Sequence, residues 1–415
     1  MNVVITLDHH YFRTPDGTVW THGVHAYPLW KRYLSVFDGV KVVARVRDVA
    51  QPQANWSAAV GTGVAISGLP DYRGPWQYLT KSVSVREAIR KAVDPRDAVI
   101  MRVSSHIAGC LEPFLARRGQ PYGVEVINDP FDLFAPKALD YRLRPLFRWE
   151  FRRQLRRQCE RAGAAAYVTD RALQSRYPCP RFTAGVSDVE IPPEALRAEP
   201  RFFPRGNDSG LEFRLITVGT LEQMCKAPDV LIQATAQCAS AGLNVTLRVA
   251  GDGKHRNELE RLAARLGIAG RVHFLGELPA GASVRDALDS SDVFVLPSRS
   301  EGLPRALVEA MARSLPCVAS AVGGIPELLA AEDLVPPADP PSLARKLIEV
   351  LRDPNRLNSM SVRNRRRAAD FQEDRLATRR NEFFREVRRI TNRYLTASPC
   401  GQRPRRADAA RSPLW

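Results

Sequence analysis

Short apolar runs alternate with amphipathic stretches along most of the chain, which is the pattern of a parallel α/β fold. In the first half, Tyr27 opens a stretch with helical spacing that follows an N-terminal apolar run. Because strands and helices alternate, we predict a doubly wound parallel sheet. The predicted strands are 3–7, 40–46, 64–66, 99–103, 124–127 and 166–169, and the clearest predicted helices are 27–37, 85–92 and 107–117.

The same alternation begins again after a proline-rich stretch at residues 191–208. Its poor periodicity is typical of a linker between domains. The predicted strands of the second half are 213–220, 245–250, 272–275, 293–296 and 317–320, followed by a largely helical region that reaches about Tyr394. A chain of 415 residues suits two domains, because single cores rarely grow beyond about 250–300 residues.

We therefore predict five segments. Residues 1–190 form an N-terminal α/β domain, 191–208 a linker and 209–370 a C-terminal α/β domain. Residues 371–395 form a final helix, and the tail, residues 396–415, is rich in proline and arginine and is predicted to be disordered.

The most informative stretch is residues 291–329, which reads as a strand–helix–strand unit. A polar turn follows the strand at 293–296, and Pro304 is predicted to start the helix. At the mouth of this helix, Gly302 and Leu303 supply backbone N–H groups where the helix dipole favours an anion. The carboxyl ends of parallel strands are also where open α/β sheets bind ligands.

Two carboxylates flank this mouth. Glu301 lies just before the helix, and Glu309 lies eight residues later with a side chain that leans toward the N-terminus. Two carboxylates beside free N–H groups suit a ligand that combines phosphate with hydroxyl groups. The residues alone leave a second interpretation open, in which Glu301 only caps the helix and Glu309 lies on a solvated face.

The segment from Glu301 to Met311 resembles the E-x7-E signature of retaining GT-B glycosyltransferases of the family 4 type. The resemblance implies that Glu301 contacts the donor sugar and has a catalytic role. It also implies that the amides of Gly302 and Leu303 meet sugar and phosphate, and that Glu309 binds the ribose hydroxyls. The implied architecture is GT-B, with two Rossmann-like domains facing across a cleft and a C-terminal helix that returns to the first domain.

The loop after the first strand of the second domain gives another point of resemblance. Lys226 stands six residues after Thr220, where the family usually has a lysine and an arginine on the donor diphosphate. The resemblance implies that Lys226 stabilises the departing diphosphate and that Thr220 lies in the donor-binding loop. A surface lysine without a ligand is the alternative. A lysine at a helix N-terminus opposes the dipole unless an anion lies nearby.

The resemblance is weaker in the first domain. Asn128 stands where the family often has a histidine beside the transferred sugar, and Asp129 follows it as a candidate catalytic carboxylate. Simple turn chemistry is the alternative for Asp129. Gly17 is the glycine available for the loop that, in the family, brings the acceptor to the donor phosphate.

No metal or cofactor is expected. The sequence has no D-x-D pair and no G-x-G-x-x-G fingerprint, and its cysteines lack the spacing of a metal site. The histidines that follow the first predicted strand, His9, His10, His22 and His25, have no acid cluster beside them. The donor is thus a substrate, and its leaving charge is expected to be met by Lys226 and helix N-termini.

The net charge of +16 implies an anionic partner. The chain has no nucleic-acid-binding motif, so nucleic acid is not expected to be that partner. The most basic stretch, residues 143–162, mixes arginines with aromatic and aliphatic residues. It suits either a helix at an anionic membrane surface or a helix packed on its sheet with a solvated arginine face. No run of 18 apolar residues and no signal peptide is evident, so we expect a cytoplasmic enzyme, peripheral at the inner face of the membrane.

The function predicted on these grounds is transfer of a hexose from a nucleotide diphosphate donor to a hydroxyl of a glycan or lipid-linked acceptor. Retention at the anomeric carbon and independence of metal follow from the resemblance. Cell-surface polysaccharide or glycolipid assembly is the expected setting. Two alternatives remain open: a sugar phosphorylase or sugar-phosphate synthase on the same fold, and a non-catalytic basic protein that binds membranes or nucleic acid.

Overall fold

The computed structural model describes residues 1–130, 144–204 and 212–397. Contacts between Cα atoms divide the chain into two compact units. The first comprises Met1–Ile100, Cys110–Gly123 and the chain from Phe384 onward, and the second comprises Met101–Gly109 and Val124–Phe383. The second unit therefore contains the end of the first α/β region as well as the whole of the second one.

The strands agree closely with the predicted apolar runs, and several of them are buried along their whole length, as parallel strands between helices are. The described strands are β1 Asn2–Arg13, β2 Val19–Thr21, β3 Gly39–Asp48, β4 Ser57–Ala58, β5 Val64–Pro70, β6 Ala98–Val103, β7 Gly123–Val126, β8 Ala164–Tyr167, β9 Phe182–Gly185, β10 Phe213–Val218, β11 Val245–Ala250, β12 Val272–Gly276, β13 Val293–Leu296, β14 Cys317–Ser320 and β15 Leu334–Val335.

The helices lie between these strands, and the last three follow the final strand. The described α-helices are α1 Tyr27–Lys31, α2 Gly74–Ala92, α3 His106–Arg118, α4 Arg144–Arg161, α5 Ala172–Arg176, α6 Pro228–Ser240, α7 Arg256–Arg265, α8 Ala282–Asp289, α9 Arg305–Ala312, α10 Ile325–Leu328, α11 Pro340–Leu351, α12 Pro354–Ala368 and α13 Glu373–Ala397. The predicted helix at 27–37 is instead the short α1 followed by a 3₁₀ helix, Arg32–Ser35.

In the first unit, β1 pairs in parallel with β3, and β3 pairs in parallel with β5. The C-terminal half of α13 belongs to this unit, as predicted for the returning helix. Its Phe384 ring stacks on Tyr33, with ring centroids 4.4 Å apart, and Arg388 donates a hydrogen bond to the carbonyl of Val36 at 2.6 Å. These contacts attach the end of the described chain to the N-terminal strands.

The first strand is longer than its apolar run. β1 continues to Arg13 and forms an antiparallel hairpin with β2, so His9 and His10 lie in a strand and not in the predicted loop. Polar residues continue the strand because the hairpin supplies hydrogen-bond partners for its backbone. Gly17 lies in the hairpin turn with φ of 84°, and its amide donates to the Thr14 carbonyl at 2.9 Å.

In the second unit, a six-stranded sheet has the order β12-β11-β10-β13-β14-β15, and each described pairing is parallel. Strands β8 and β9 also pair in parallel. A core of aliphatic side chains fills both faces of the six-stranded sheet.

The described part of the proline-rich segment packs against other residues of the second unit. Arg201 donates hydrogen bonds to four backbone carbonyls of the second unit, including that of Ser291 at 2.6 Å. The amide of Phe203 donates to the side chain of Asn358 at 2.8 Å. Residues 205–208 of the predicted linker and residues 398–415 of the predicted tail lie outside the described residues.

Helix α4 shows features of both interpretations of the basic stretch. Leu155 and Cys159 are buried, whereas Leu146 and Trp149 are 57% and 56% exposed. The guanidinium carbon of Arg153 lies 5.4 Å from the centre of the Trp149 ring. The C-terminal half thus packs on the protein, and the N-terminal half carries exposed apolar and basic side chains. In the described ranges, no helix is long and apolar enough to span a membrane.

Candidate active site

The order in which successive strands are added to the six-stranded sheet reverses between β10 and β13. Strands β11 and β12 continue on one side of β10, and β14 and β15 continue on the other side of β13. In open parallel sheets, such a point leaves a crevice at the carboxyl ends of the two central strands. The loops that follow β10 and β13 contain Thr220, Lys226, Glu301, Gly302 and Leu303, which the sequence predicted as site residues.

Glycine at two positions allows the backbone to pass closely around this crevice. A Cβ atom at Gly302 would lie 2.8 Å from the carbonyl oxygen of Ile127. Gly323 has φ of 54°, and a Cβ atom there would overlap the carbonyl oxygen of Glu301. The Gly324 amide then donates to the carbonyl of Gly302 at 2.7 Å. The turn after β14 therefore holds the Glu301–Gly302 backbone in place.

The mouth of α9 carries unengaged backbone donors. The helix begins at Arg305, one residue later than predicted, and Pro304 is its N-cap. Throughout the described ranges, the amides of Gly302 and Leu303 donate no hydrogen bond to the protein. Unengaged N–H groups at the N-terminus of a helix form a site suited to phosphate or another polar anion.

Lys226 and Glu301 meet at this mouth. The Lys226 Nζ atom donates to both carboxylate oxygens of Glu301, at 2.6 and 2.8 Å, and Ser298 Oγ donates to Glu301 Oε1 at 2.6 Å. The Glu301 side chain is only 7% exposed and that of Lys226 24%. An ammonium group has three N–H donors, so Lys226 retains one for a ligand while it holds Glu301.

Arg299 holds the turn that carries Lys226, a role that was not predicted from the sequence. Its guanidinium forms two hydrogen bonds with the Asp229 carboxylate, at 2.9 and 2.7 Å, and one with the Met224 carbonyl at 2.7 Å. Its own amide donates to the Cys225 carbonyl at 2.7 Å. The loops after β10 and β13 are thus fastened together on both sides of the Lys226–Glu301 pair.

Glu309 lies on α9 in a partly buried position. Burial raises the pKa of its carboxyl above the ordinary value of 4.5, and the charges of Arg305 and Arg285 oppose this shift. Across the described part of the chain, no protein donor forms a hydrogen bond with this carboxylate. A desolvated carboxylate without a protein donor costs stability, which is consistent with a group that awaits hydroxyls of a ligand.

We predict that Glu309→Gln makes the ligand-free protein at least as stable as the wild type at pH 7.5. The folded protein binds a proton to Glu309 at a higher pH than the unfolded chain does. The carboxyl therefore favours folding below about pH 4.5 and opposes folding as the pH rises through its folded-state pKa. Thermal unfolding at pH 7.5, 5.5 and 4 tests this, with the exposed Glu382→Gln as control. A glutamine variant that unfolds at a lower temperature at pH 7.5 would contradict the desolvation argument.

Thr220 lies in the exposed loop after β10. Its hydroxyl accepts a hydrogen bond from the Glu222 amide at 3.2 Å and lies 3.5 Å from the Asp252 carbonyl. The hydroxyl therefore shapes the loop and carries no charge for a diphosphate. Within this loop, Lys226 is the cation that reaches Glu301.

Asp129 lies away from solvent, with 4% exposure. Its carboxylate forms an ion pair with Arg176 and accepts a hydrogen bond from the Tyr177 hydroxyl at 2.5 Å. The Asn128 side chain instead accepts hydrogen bonds from the amide and hydroxyl of Ser104, at 3.3 and 3.2 Å. This geometry favours a structural role for Asp129, in which it positions the end of β7.

A third carboxylate was not anticipated from the sequence. Glu327, on α10, accepts hydrogen bonds from the amides of Asp170, Arg171 and Ala172, at 2.6, 3.1 and 2.5 Å. It thereby joins the loop after β14 to the loop after β8. The pattern of acids in the sequence gives no signal for this contact, because its partners are backbone amides more than 150 residues away.

The histidines of the first unit make specific contacts. His9 Nε2 lies 2.7 Å from the Thr21 hydroxyl, and His10 Nδ1 lies 2.7 Å from the Asp71 carboxylate. Burial, followed by the neighbouring charges of His10 and Arg45, lowers the pKa of His9 to about 4. Among the residues that the structure describes, no group of three or more histidine, cysteine, aspartate or glutamate side chains is placed to hold a metal ion.

Comparison with known proteins supports the class that this fold and site suggest. Residues 201–367, which include Lys226, Glu301 and Glu309, match the family Glycosyl transferases group 1. The structure of Thermosynechococcus elongatus sucrose-phosphate synthase is similar to this one, with a TM-score of 0.68 at 18% identity, over 94% of this chain and 100% of that chain. Anabaena Alr3699/HepE, solved in complex with UDP and glucose, gives a TM-score of 0.60 at 15% identity, over 95% and 99%.

Two curated relatives are similar to this chain in sequence. Protein CapJ from Staphylococcus aureus is 23% identical over 90% of this chain and 92% of its own length. The putative colanic acid biosynthesis glycosyltransferase WcaL from Salmonella typhimurium is 35% identical over 39% of this chain and 42% of its own length. Together these comparisons show the GT-B fold and a similarity of residues 201–367 to group 1 glycosyl transferases.

Proposed function

We propose that this protein is a retaining glycosyltransferase that transfers a hexose from a nucleotide diphosphate donor to an acceptor hydroxyl without a metal ion. The observation that carries the proposal is the partly buried pair of Lys226 and Glu301 beside the unengaged amides of Gly302 and Leu303. A cation, a carboxylate and free N–H groups together match a ligand that joins a diphosphate to a polyhydroxylated sugar.

The donor would lie along the crevice between β10 and β13. Its diphosphate would take the remaining N–H of Lys226 and an amide at the mouth of α9, and its sugar hydroxyls would contact Glu301. Glu309 would accept hydrogen bonds from the ribose hydroxyls, which restores partners to a carboxylate that has no protein donor in the described structure. HepE with UDP and glucose is a neighbour of similar fold, which supports a uridine or related nucleotide as the first donor to test.

In the proposed reaction, the bond between the anomeric carbon and the diphosphate oxygen breaks. The acceptor oxygen forms its bond to the same face of that carbon, and the acceptor proton passes to the departing phosphate. Negative charge grows on the diphosphate as the bond breaks, so a fixed cation and fixed dipoles lower the barrier. Lys226 and the α9 mouth supply both. Asp129 takes no part in this scheme, because its carboxylate is already paired within the protein.

The proposed acceptor is a growing cell-surface glycan or a lipid-linked sugar. The relative WcaL is described by its role in colanic acid biosynthesis, which supports a polysaccharide setting. The net charge of +16 also favours an acceptor or surface that carries phosphate. An enzyme at the inner face of a membrane would meet lipid-linked sugars and growing glycans while they are assembled.

A panel of nucleoside diphosphates and nucleotide sugars, scored by thermal shift, tests the donor class. A ligand at 100 times its dissociation constant stabilises the folded state by about 2.7 kcal/mol. We expect at least one nucleotide sugar and its matching diphosphate to raise the unfolding temperature. Incubation of that sugar with glycan acceptors should then give a product with the donor's anomeric configuration by NMR. An inverted product would contradict retention, and no shift with any nucleotide would contradict the proposed donor.

A further inference from the structure

Helix α2 carries a ridge of large apolar side chains that point to solvent. Trp76, Leu79 and Val83 are 79%, 61% and 79% exposed. Their spacing of three and four residues places them on one side of the helix. The opposite side is buried, since Val85 and Ile89 are 0% and 1% exposed. Single exposed apolar residues are ordinary, but a contiguous ridge is a feature of interaction surfaces.

The same side of α2 continues with arginine. Arg86 and Arg90 follow Val83 at intervals of three and four residues, so the full row is apolar in its first half and basic in its second. Arg86 Nε donates to the Tyr78 hydroxyl at 3.2 Å, and the Arg90 guanidinium lies 6.0 Å from the centre of the Phe114 ring. Both guanidinium groups are thereby held beside the ridge.

The charge of this helix is one-sided. Its sequence contains one acidic residue, Glu87, and that carboxylate pairs with Lys91 at 2.7 Å. Lys81, Arg86 and Arg90 are exposed, and Arg73 precedes the helix. The surface therefore offers an apolar ridge next to an uncompensated positive charge, which complements a layer that is apolar inside and anionic at its surface.

We propose that the ridge of Trp76, Leu79 and Val83, with Arg86 and Arg90, docks the protein on an anionic phospholipid surface. The three apolar side chains enter the headgroup region, where tryptophan is favoured, and the two arginines contact lipid phosphates. A second copy of the chain fits this surface poorly. A symmetric dimer would bring two basic rows together, and a stable interface buries about 800 Å² per partner from about 20–30 residues.

Flotation of the full chain with vesicles tests the proposal. One set of vesicles contains phosphatidylcholine alone, and the other contains phosphatidylcholine with about 30% phosphatidylglycerol, which gives a negative surface potential. We expect the wild type to prefer the anionic vesicles. The triple variant Trp76→Ser/Leu79→Ser/Val83→Ser should bind them at least about tenfold more weakly, and should lose the binding that persists in moderate salt. Arg86→Gln/Arg90→Gln should weaken binding at low salt by about 30-fold, or about fivefold for each arginine.

Two further variants make the result specific. Val24→Ser/Val362→Ser removes apolar side chains that are 57% and 54% exposed elsewhere, and it should bind vesicles like the wild type. Brominated lipid in the anionic vesicles should quench tryptophan fluorescence in the wild type, and it should quench much less in Trp76→Phe, which still binds. Because these positions are exposed, nucleotide affinity should be unchanged, so failure here is distinguishable from failure of the proposed donor site.

A separate variant tests the competing basic helix, α4. Replacement of four of its arginines by glutamine (Arg152, Arg153 and Arg156, which are exposed, and Arg157, which is half-buried) removes charge without touching α2. If this variant loses all vesicle binding while the α2 triple variant binds like the wild type, α4 is the membrane surface and the proposal is wrong. Equal binding to neutral and anionic vesicles would also overturn it. So would conversion of a dimer to a monomer by the triple variant in sedimentation, because the ridge would then be a contact between copies.

Discussion

Replacement of Lys226 by alanine is expected to lower kcat by about 10²–10³, which corresponds to about 2.7–4 kcal/mol in the barrier. Lys226 is the cation that holds Glu301 at 2.6 Å and retains a donor for the leaving diphosphate. Charge on the diphosphate is greatest in the transition state, so the loss should be larger in kcat than in donor affinity. Steady-state kinetics with the donor identified by the thermal-shift panel measures both quantities.

Lys346→Ala is a matched control for this experiment. Lys346 lies on α11, pairs with Glu349 at 2.9 Å and is remote in sequence from the site, so its loss should leave kcat unchanged. Removal of Lys226 also leaves a nearly buried carboxylate for which, among the described residues, Ser298 is the remaining donor, so thermal unfolding should confirm that the variant is folded. A folded Lys226→Ala variant with a near-normal rate would show that another cation stabilises the diphosphate.

Glu301→Gln is expected to lower kcat by about 10² while the dissociation constant of the donor changes by a few-fold at most. Glutamine has nearly the same shape and retains an acceptor for Ser298. It has no charge with which to hold Lys226 or to support positive charge on the sugar. The exposed Glu382→Gln serves as control, since it removes a carboxylate from a solvated face of α13. A loss confined to donor affinity would instead make Glu301 a binding residue without a role in turnover.

Most of the strands and the N-terminal end of α9 could be predicted from local patterns. The runs at 245–250, 293–296 and 317–320 became β11, β13 and β14 with unchanged bounds. β13 and β14 are buried along their whole length and are therefore mostly apolar, whereas β11 is only half-buried at Thr246 and Arg248. The predicted mouth of α9 is also present, since Pro304 and Gly302 act through their own backbone geometry. Local chemistry of this kind does not depend on the rest of the fold.

Contacts that join distant segments could not be predicted in this way. Arg299 holds Asp229, seventy residues earlier, and Glu327 binds amides more than 150 residues earlier. From sequence alone, an arginine or glutamate in a loop is predicted to be solvated. Its partner becomes apparent only when the order of the strands places both residues at the same edge of the sheet. The hairpin that contains Gly17 was missed for a related reason, because its strands are polar and gain stability from their pairing.

The surroundings of Asp129 could not be predicted from its own segment. The sequence left a catalytic role and simple turn chemistry open for this residue, and the fold encloses its carboxylate between Arg176 and Tyr177. Burial of Tyr177 raises the pKa of its hydroxyl, and the hydrogen bond that this hydroxyl donates to Asp129 raises that pKa further. Whether a carboxylate in a strand-end turn is exposed depends on the neighbouring loops, and no single segment specifies this.

Calorimetric titration of the matching nucleoside diphosphate in EDTA tests the central claim most directly, that the crevice between β10 and β13 binds the donor through protein charges. The account predicts binding to the wild type without metal, and a loss of about 1–3 kcal/mol in Glu309→Gln, the cost of one hydrogen bond to a charged group. It also predicts weaker binding in Lys226→Ala and unchanged binding in Lys346→Ala. Binding that appears only when Mn²⁺ or Mg²⁺ is restored, or that is equal in all four proteins, would contradict the account.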